Sequence, residues 1–171
     1  LDDIPVGLSS FRTGPNQYFR LLPLSALASL GLYEGPGSVA SGSGAMGGVV
    51  HARTLDAATQ PIVRLQGGTN TADKTLGGLL VATARHPDNP VAGGAQASRH
   101  GTLHSSGGYP WPASDFSEFN GFIKANLNMT QSQDITVFAS HTGLQDAGRT
   151  DRLGQGDIRW YDNAMALAYL R

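Results

Sequence analysis

Ile123, Ala125, Leu127 and Met129 alternate with Lys124, Asn126, Asn128 and Thr130. Gln131 to Asp134 then turn the chain, and Ile135, Val137 and Ala139 alternate with Thr136, Phe138 and Ser140. An apolar residue at every second position is the period of a strand, because successive side chains leave a strand on opposite faces. A helix would repeat near 3.6 and scatter these residues around its circumference. Two such runs joined by a short polar turn predict an antiparallel hairpin with one apolar and one polar face.

The same period recurs through the second part of the chain. Val63 and Leu65 alternate with Arg64 and Gln66, and Leu76, Leu80, Ala82 and Ala84 interleave with Thr75, Thr83 and Arg85. Val91 to His100 reads as a small-residue strand, and Ala164 to Leu170 as the start of another. That makes six candidate strands. The connections between them are short at 70–74, tight at 86–90 and 131–134, and long at 103–117 and 145–162. Tight turns at one end and long loops at the other are the layout of a transmembrane β-barrel. A soluble β-sandwich, the rival reading, has less reason to alternate its loop lengths. Charged residues are only 15% and glycines number 23, which suits a β-protein with many turns. The longest apolar stretch, Leu79 to Ala84, is far too short for a transmembrane helix, but barrel strands need no such run.

Residues 1 to 60 are mixed in type. Leu1-Asp2-Asp3-Ile4-Pro5-Val6 reads as a strand with a bend at the two aspartates, and 7–20 as a polar loop. Pro23 to Leu30 is expected to form a short helix, with Pro23 at its start and Leu24, Leu27 and Leu30 on one side. Leu32-Tyr33 and Val49 to Arg53 read as strands, separated by a run of small residues rich in glycine. The chain opens on Leu1 in one apparent strand and closes on Arg171 in another, so it reads as a piece of a longer protein.

Leu22-Pro23-Leu24-Ser25-Ala26-Leu27, Glu34-Gly35-Pro36-Gly37-Ser38-Val39 and Ser41-Gly42-Ser43-Gly44-Ala45-Met46-Gly47-Gly48-Val49-Val50, ending at Arg53-Thr54, form a recognisable text. It resembles the plug of TonB-dependent outer-membrane receptors, and Leu1 to Val6 matches the strand just upstream in that family. The resemblance is specific over 32–54 and generic after residue 61. It implies a mainly β chain: the C-terminal part of an α+β plug over 1–60, then the N-terminal strands of a transmembrane barrel over 61–171. The full barrel of the family has about 22 strands around its plug. The resemblance further implies an outer-membrane location in a Gram-negative bacterium, and uptake of a ferric siderophore, haem or cobalamin. It implies energy from a TonB–ExbB–ExbD complex that engages the preceding part of the plug, and contact with outer-membrane lipid. It implies a transporter rather than an enzyme, with no resident cofactor or metal. The family usually carries Glu where this chain has Ala28 and Gly31, and a basic residue where it has Glu34. Those charges help latch plug to barrel in the family.

The expected site residues rest on the same resemblance. The family's loop after the first strand often faces the substrate, which makes Arg12, Asn16, Gln17 and Tyr18 the expected ligand contacts. A cation, two amides and a phenol suit an anionic chelate. If the substrate is haem, His100 or His104 is the expected ligand. Gly35, Pro36, Gly42, Gly44, Gly47 and Gly48 are expected to be structural, in a tight loop where side chains would clash.

Other chemistries fit poorly. Gly42 to Gly47 formally satisfies the dinucleotide fingerprint, but Gly48 to Thr54 is strand-like rather than helical, and no acid stands about 20 residues on. The absence of cysteine excludes a disulfide framework, a thiolate metal site and a cysteine nucleophile. A net charge of −1 gives no electrostatic case for nucleic acid. Paired carboxylates or a Ser-His-Asp set cannot be argued from the spacings. Tyr109, Trp111 and Phe116 lie among prolines and are expected in an interfacial girdle or in loop packing. A soluble β-rich ligand-binding or adhesion module remains the alternative to a receptor.

Overall fold

The computed structural model describes residues 1–4, 22–35, 48–56, 61–85, 89–130, 133–148 and 160–170. They form two antiparallel sheets. A two-stranded sheet pairs β1 (Leu27–Glu34) with β2 (Gly48–Thr54). A six-stranded sheet contains β3 (Ile62–Asn70), β4 (Thr75–Arg85), β5 (Pro90–His100), β6 (Phe116–Thr130), β7 (Gln133–Gly148) and β8 (Trp160–Leu170). Its strand order is the chain order, β3-β4-β5-β6-β7-β8, a simple meander with β3 and β8 at its edges.

The hairpin read from the alternation is present and longer than expected. Strands β6 and β7 have 15 and 16 residues, and Ile123 lies opposite Ala139. Strand β7 runs on to Gly148 and β8 starts at Trp160, so the connection expected over 145–162 shortens to 149–159. The two long connections, 101–115 and 149–159, leave the same end of the meander as the turn at 71–74. The short ones, 86–89 and 131–132, leave the other end.

Two local expectations fail. The helix expected over Pro23 to Leu30 is a single 3-10 turn, Leu24–Ala26, and Leu27 onward is strand. Extended pairing supplies backbone partners that so short a helix could not, since Leu30 lies opposite Ala52 and Leu32 opposite Val50. Residues 1–4 form a turn rather than a strand, with Asp2 at φ 47° and Asp3 at φ 65°. Aspartate tolerates that left-handed region better than most residues.

Sheet polarity is the feature that organises the rest. One face of the six-stranded sheet carries Ser98, His100, Glu118, Asn120, Lys124, Asn126, Ser140 and Thr142, and packs against the N-terminal segments. We call it the inner face. The outer face carries Val63, Leu65, Leu76, Leu80, Ala95, Ala97, Phe119, Ile123, Met129, Val137 and Leu170. Its large apolar side chains are exposed: Leu65 is 82% accessible and Val63 75%. Over β4 to β7 the sheet therefore covers much of its polar side and bares its apolar one, while β3 is exposed on both faces. A small apolar cluster between the inner face and the N-terminal segments fills the centre, with Phe138, Phe122, Val81 and Ala92 from the sheet meeting Leu1, Ala26 and Ala52.

Candidate functional site

The turn at residues 1–4 projects Asp2 against the end of β2 and the inner face of the large sheet. The backbone amide of Asp2 donates to the Ala52 carbonyl at 2.9 Å, which pins the turn to β2. The Asp2 carboxylate then accepts three hydrogen bonds. The Thr54 amide donates at 2.8 Å and the Thr54 hydroxyl at 2.5 Å, and the Tyr169 phenol of β8 is the third donor. Lys124, on β6, enters from the opposite side. Its Nζ donates to Thr54 Oγ1 at 2.9 Å and to Asp56 Oδ1 at 2.5 Å, and lies 3.7 Å from Asp2 Oδ2. The Lys124 side chain is only 7% accessible, so its charge is met almost wholly by protein groups. Burial pushes the Asp2 carboxyl up, but the Thr54 hydroxyl, the Tyr169 phenol, the Thr54 amide and the Lys124 charge together hold it below the usual carboxylate range.

A second polar joint lies on the same face. Ser25, in the 3-10 turn, donates its hydroxyl to Asn120 Oδ1, and Asn120 Nδ2 donates to Thr142 Oγ1 at 2.8 Å. All three residues are buried. Tyr169 also stacks on Phe138 at 5.1 Å, so the phenol that serves Asp2 is fixed from behind. Beside these joints opens a polar cavity of about 520 Å³, lined among others by Asp3, Arg53, Asp56, Lys124, Asn126 and Asp134. Asn126 Oδ1 is buried with no hydrogen-bond partner among the described residues.

The charged contacts between the N-terminal segments and the sheet do not involve positions 28, 31 or 34. Ala28 and Glu34 are exposed, and the charges that join the N-terminal segments to the sheet are Asp2, Asp56 and Lys124. Sequence reasoning placed Lys124 on the polar face of its hairpin and went no further. A lone lysine among Asn, Ser and Thr on a face that becomes covered needs an acid, and that was the available signal. Its partners stand 68 and 122 positions away, beyond the reach of any local pattern.

The expected ligand contacts Arg12, Asn16, Gln17 and Tyr18 lie outside the described residues, as do Pro36, Gly42, Gly44 and Gly47. Gly35 and Gly48 are described. Gly35 has φ 105°, and at Gly48, φ 145°, a Cβ would stand 2.6 Å from the Tyr33 carbonyl oxygen. Both positions require glycine. Gly48 opens a strand, not a helix.

His100 and His104 are not brought together. His100 is on the inner face at the long-loop end, with Nδ1 3.1 Å from Thr75 Oγ1 and Nε2 3.2 Å from Ser98 Oγ and 3.4 Å from Glu118 Oε1. Its ring stacks on Phe116 at 4.2 Å, so Phe116 faces inward rather than joining a girdle. Both ring nitrogens have protein groups in reach, and a haem iron would have to displace one set. The Thr75 hydroxyl, above all, holds the nearby Asp73 carboxyl below the usual range. His104 is exposed in the 101–115 loop, bridged to Pro110, with Tyr109 and Trp111 exposed beside it. Among the described residues no group of three or more His, Cys, Asp or Glu is arranged to hold a metal ion.

The arrangement defines an antiparallel β-protein whose large sheet presents an apolar outer face and docks N-terminal segments on a polar inner one. No protein-family model matches the chain, and neither a curated protein nor a solved structure matches it.

Proposed function

We propose that this chain is part of a TonB-dependent outer-membrane receptor, with β3 to β8 forming a stretch of barrel wall and the segments before them forming the adjoining part of the plug. The observation that carries the reading is the inverted sheet. In water, burying apolar area at about 25 cal/mol per Å² would turn Leu65, Leu76, Leu80, Phe119 and Ile123 inward. A lipid-facing wall wants the reverse. The dimensions agree: Phe119 to Met129 spans ten residue steps of about 3.4 Å, or ~34 Å along the strand, and a tilt of about 40° reduces this to ~26 Å. That is close to the apolar band of an outer-membrane barrel, about 25 Å. The alternation of short and long connections supports the same orientation, with 86–89 and 131–132 on the periplasmic side.

In this role the polar inner face holds the plug segment through buried hydrogen bonds and the Asp2–Lys124 pair. The receptor takes up an anionic chelate, a ferric siderophore or haem, and draws energy from the TonB complex. The test is the solution behaviour of the chain: with two unpaired edges and an uncovered apolar face it should be insoluble or unfolded in buffer and regain its strand signal only in detergent. A monomer that stays in buffer without detergent and unfolds there in one cooperative transition would overturn the reading in favour of a soluble module.

A further inference from the structure

His100 lies where three pieces of the inner face meet at the long-loop end. It closes β5 and stands opposite Phe116, which opens β6, so the pair forms the root of the 101–115 loop. The turn at 71–74 closes in beside it. A Cβ on Gly101 would stand 2.2 Å from the Asp73 carbonyl oxygen, so the first loop residue packs directly on that turn. The hydrogens available fix the state of the ring. Thr75 Oγ1 is 2.5 Å from Asp73 Oδ2, and Ser98 Oγ is 2.6 Å from Glu118 Oε1. A carboxylate only accepts, so each hydroxyl gives its one hydrogen to its carboxylate. Both hydroxyls then face the ring as acceptors, Thr75 at 3.1 Å from Nδ1 and Ser98 at 3.2 Å from Nε2. Both ring nitrogens must donate, which only the imidazolium can do. Carried by Glu118 instead, the extra proton would serve the same network, but imidazole is the stronger base of the two side-chain types.

The surroundings suit a cation. Among the described residues the charges that face the ring are Asp73 from the turn, 3.9 Å from Nδ1, and Glu118 from β6, 3.4 Å from Nε2. Arg99, the neighbour in β5, points to the outer face, and Lys74 in the turn is exposed. We propose that His100 is a proton-operated clasp at the root of the 101–115 loop: charged, it ties the turn at 71–74 and the start of β6 to the end of β5, and neutral, it lets one of them go. Without the proton, Ser98 must turn from Glu118 to Nε2 or Thr75 from Asp73 to Nδ1, and a carboxylate is left against an uncharged ring. The loop that responds is internally braced. Ser114 Oγ accepts from the Leu103 amide at 2.9 Å and donates to the Trp111 carbonyl at 2.6 Å, and the Trp111 amide donates to the Leu103 carbonyl at 2.7 Å. Loosened at its root, this loop shifts as a unit, with the exposed Leu103, Tyr109 and Trp111 upon it. The clasp is the same whether or not the outer face meets lipid.

Histidine is the side chain whose charge ordinarily changes between pH 5 and 8, so the test compares those two values. Amide exchange over 71–75 and 100–117 is measured on the full chain, in detergent or, if the chain proves soluble, in buffer, with each amide corrected for its intrinsic rate. In wild type it should be about tenfold faster at pH 8 than at pH 5, the effect of losing one hydrogen bond to a charged group, while the β6–β7 ladder stays within about twofold. His100→Gln cannot take up the proton and keeps the other four histidines, so its exchange at these segments should be the same at both values. Glu118→Gln leaves the ring in place and removes one carboxylate, which should cut the ratio to below about threefold. The strand signal in circular dichroism checks that each variant folds. Equal exchange at the two pH values in wild type would overturn the clasp. So would a wild-type ratio in His100→Gln or, should that variant not fold, in Glu118→Gln.

Discussion

Replacing Lys124 by methionine removes the charge that joins the N-terminal turn to the sheet while keeping most of the side-chain volume. The magnitude comes from the geometry. At 3.7 Å and an effective dielectric near 20, Lys124 and Asp2 attract by about 4.5 kcal/mol. The shorter contact to Asp56 adds little, up to about 1 kcal/mol, because that carboxylate is 75% accessible and screened. Against this stands the desolvation of the lysine, which the variant no longer suffers. The variant is left with a covered aspartate that has lost its cation. Removing one member of a buried pair costs roughly 3–5 kcal/mol. The lower end applies here, since the two Thr54 donors and the Tyr169 phenol still satisfy Asp2. The expected cost of docking is about 3 kcal/mol, or about a hundredfold in the undocked population.

Hydrogen exchange at the Thr54 amide reads that population directly, because its hydrogen bond to Asp2 breaks when the turn leaves. In Lys124→Met, exchange at Thr54 should accelerate about a hundredfold, while amides in the β6–β7 ladder should change little. In Lys124→Met combined with Asp2→Asn, the effects should be strongly non-additive, with a coupling of about 2 kcal/mol or more. Exchange within threefold of wild type, or additive single and double variants, would refute the reasoning that the pair holds the two parts together.

Acid should loosen the same joint. The Asp2 carboxyl is held below its ordinary value in the folded chain, so its contribution is present above the unfolded value, about 3.9, and is lost as pH falls through the lowered folded one. Thr54 exchange, normalised to its intrinsic rate, should rise below about pH 4 in wild type and stay flat in Asp2→Asn. Gly48→Ala should cost about 1–3 kcal/mol, since its φ is 145° and the new Cβ would meet the Tyr33 carbonyl oxygen at 2.6 Å; urea unfolding in detergent checks this. Leu80→Arg, near the middle of the outer face, should cost about 2–4 kcal/mol in a lipid bilayer, against the half kcal/mol or so typical of an exposed position in water. Unfolding free energies in vesicles that do not move on this substitution would count against a lipid-facing surface.

Period-two patterning made much of the large sheet legible, because β3, β4, β6 and β7 carry their own alternation and the connections are local, while β5 read only as a run of small residues and β8 as the start of a strand. What it could not supply was the end of each strand. Strand β7 continues through Leu144 to Gly148 across a bulge between Leu144 and Ala147, where the strict alternation breaks and the sequence reads as loop. The helix expected at Pro23 to Leu30 failed for a different reason. Leucines at 24, 27 and 30 fit a helical face, but Thr54 and Ala52 offer Leu27 and Leu30 strand partners from more than 20 residues away, and tertiary pairing overrode the local period. The joint at Lys124 was invisible for the same reason of distance. Asp2 and Tyr169 stand 167 positions apart, and only the fold brings them to one carboxylate.

The outer and inner faces constrain one another. A sheet that bares its apolar side chains outward has no apolar face left with which to hold a second layer on the other side, so the hydrophobic term that ordinarily fastens layers together contributes little between them. The central cluster of Phe138, Phe122, Val81 and Ala92 is correspondingly small, and Ala26 and Ala52 are the fully covered residues facing it. Adhesion between the parts then falls to directed polar contacts: the Ser25–Asn120–Thr142 chain and the Asp2–Thr54–Lys124–Tyr169 set. Such contacts specify position closely yet are weak once a single partner is lost, because an unpaired buried group is costly. An apolar interface would part only by exposing its whole area to water, whereas this one is held by a few directed contacts, among them those of the turn at residues 1–4 with Lys124 and Tyr169. On the receptor reading proposed above, a segment that sits in a wall and is drawn away from it under load is suited by an attachment of the second kind.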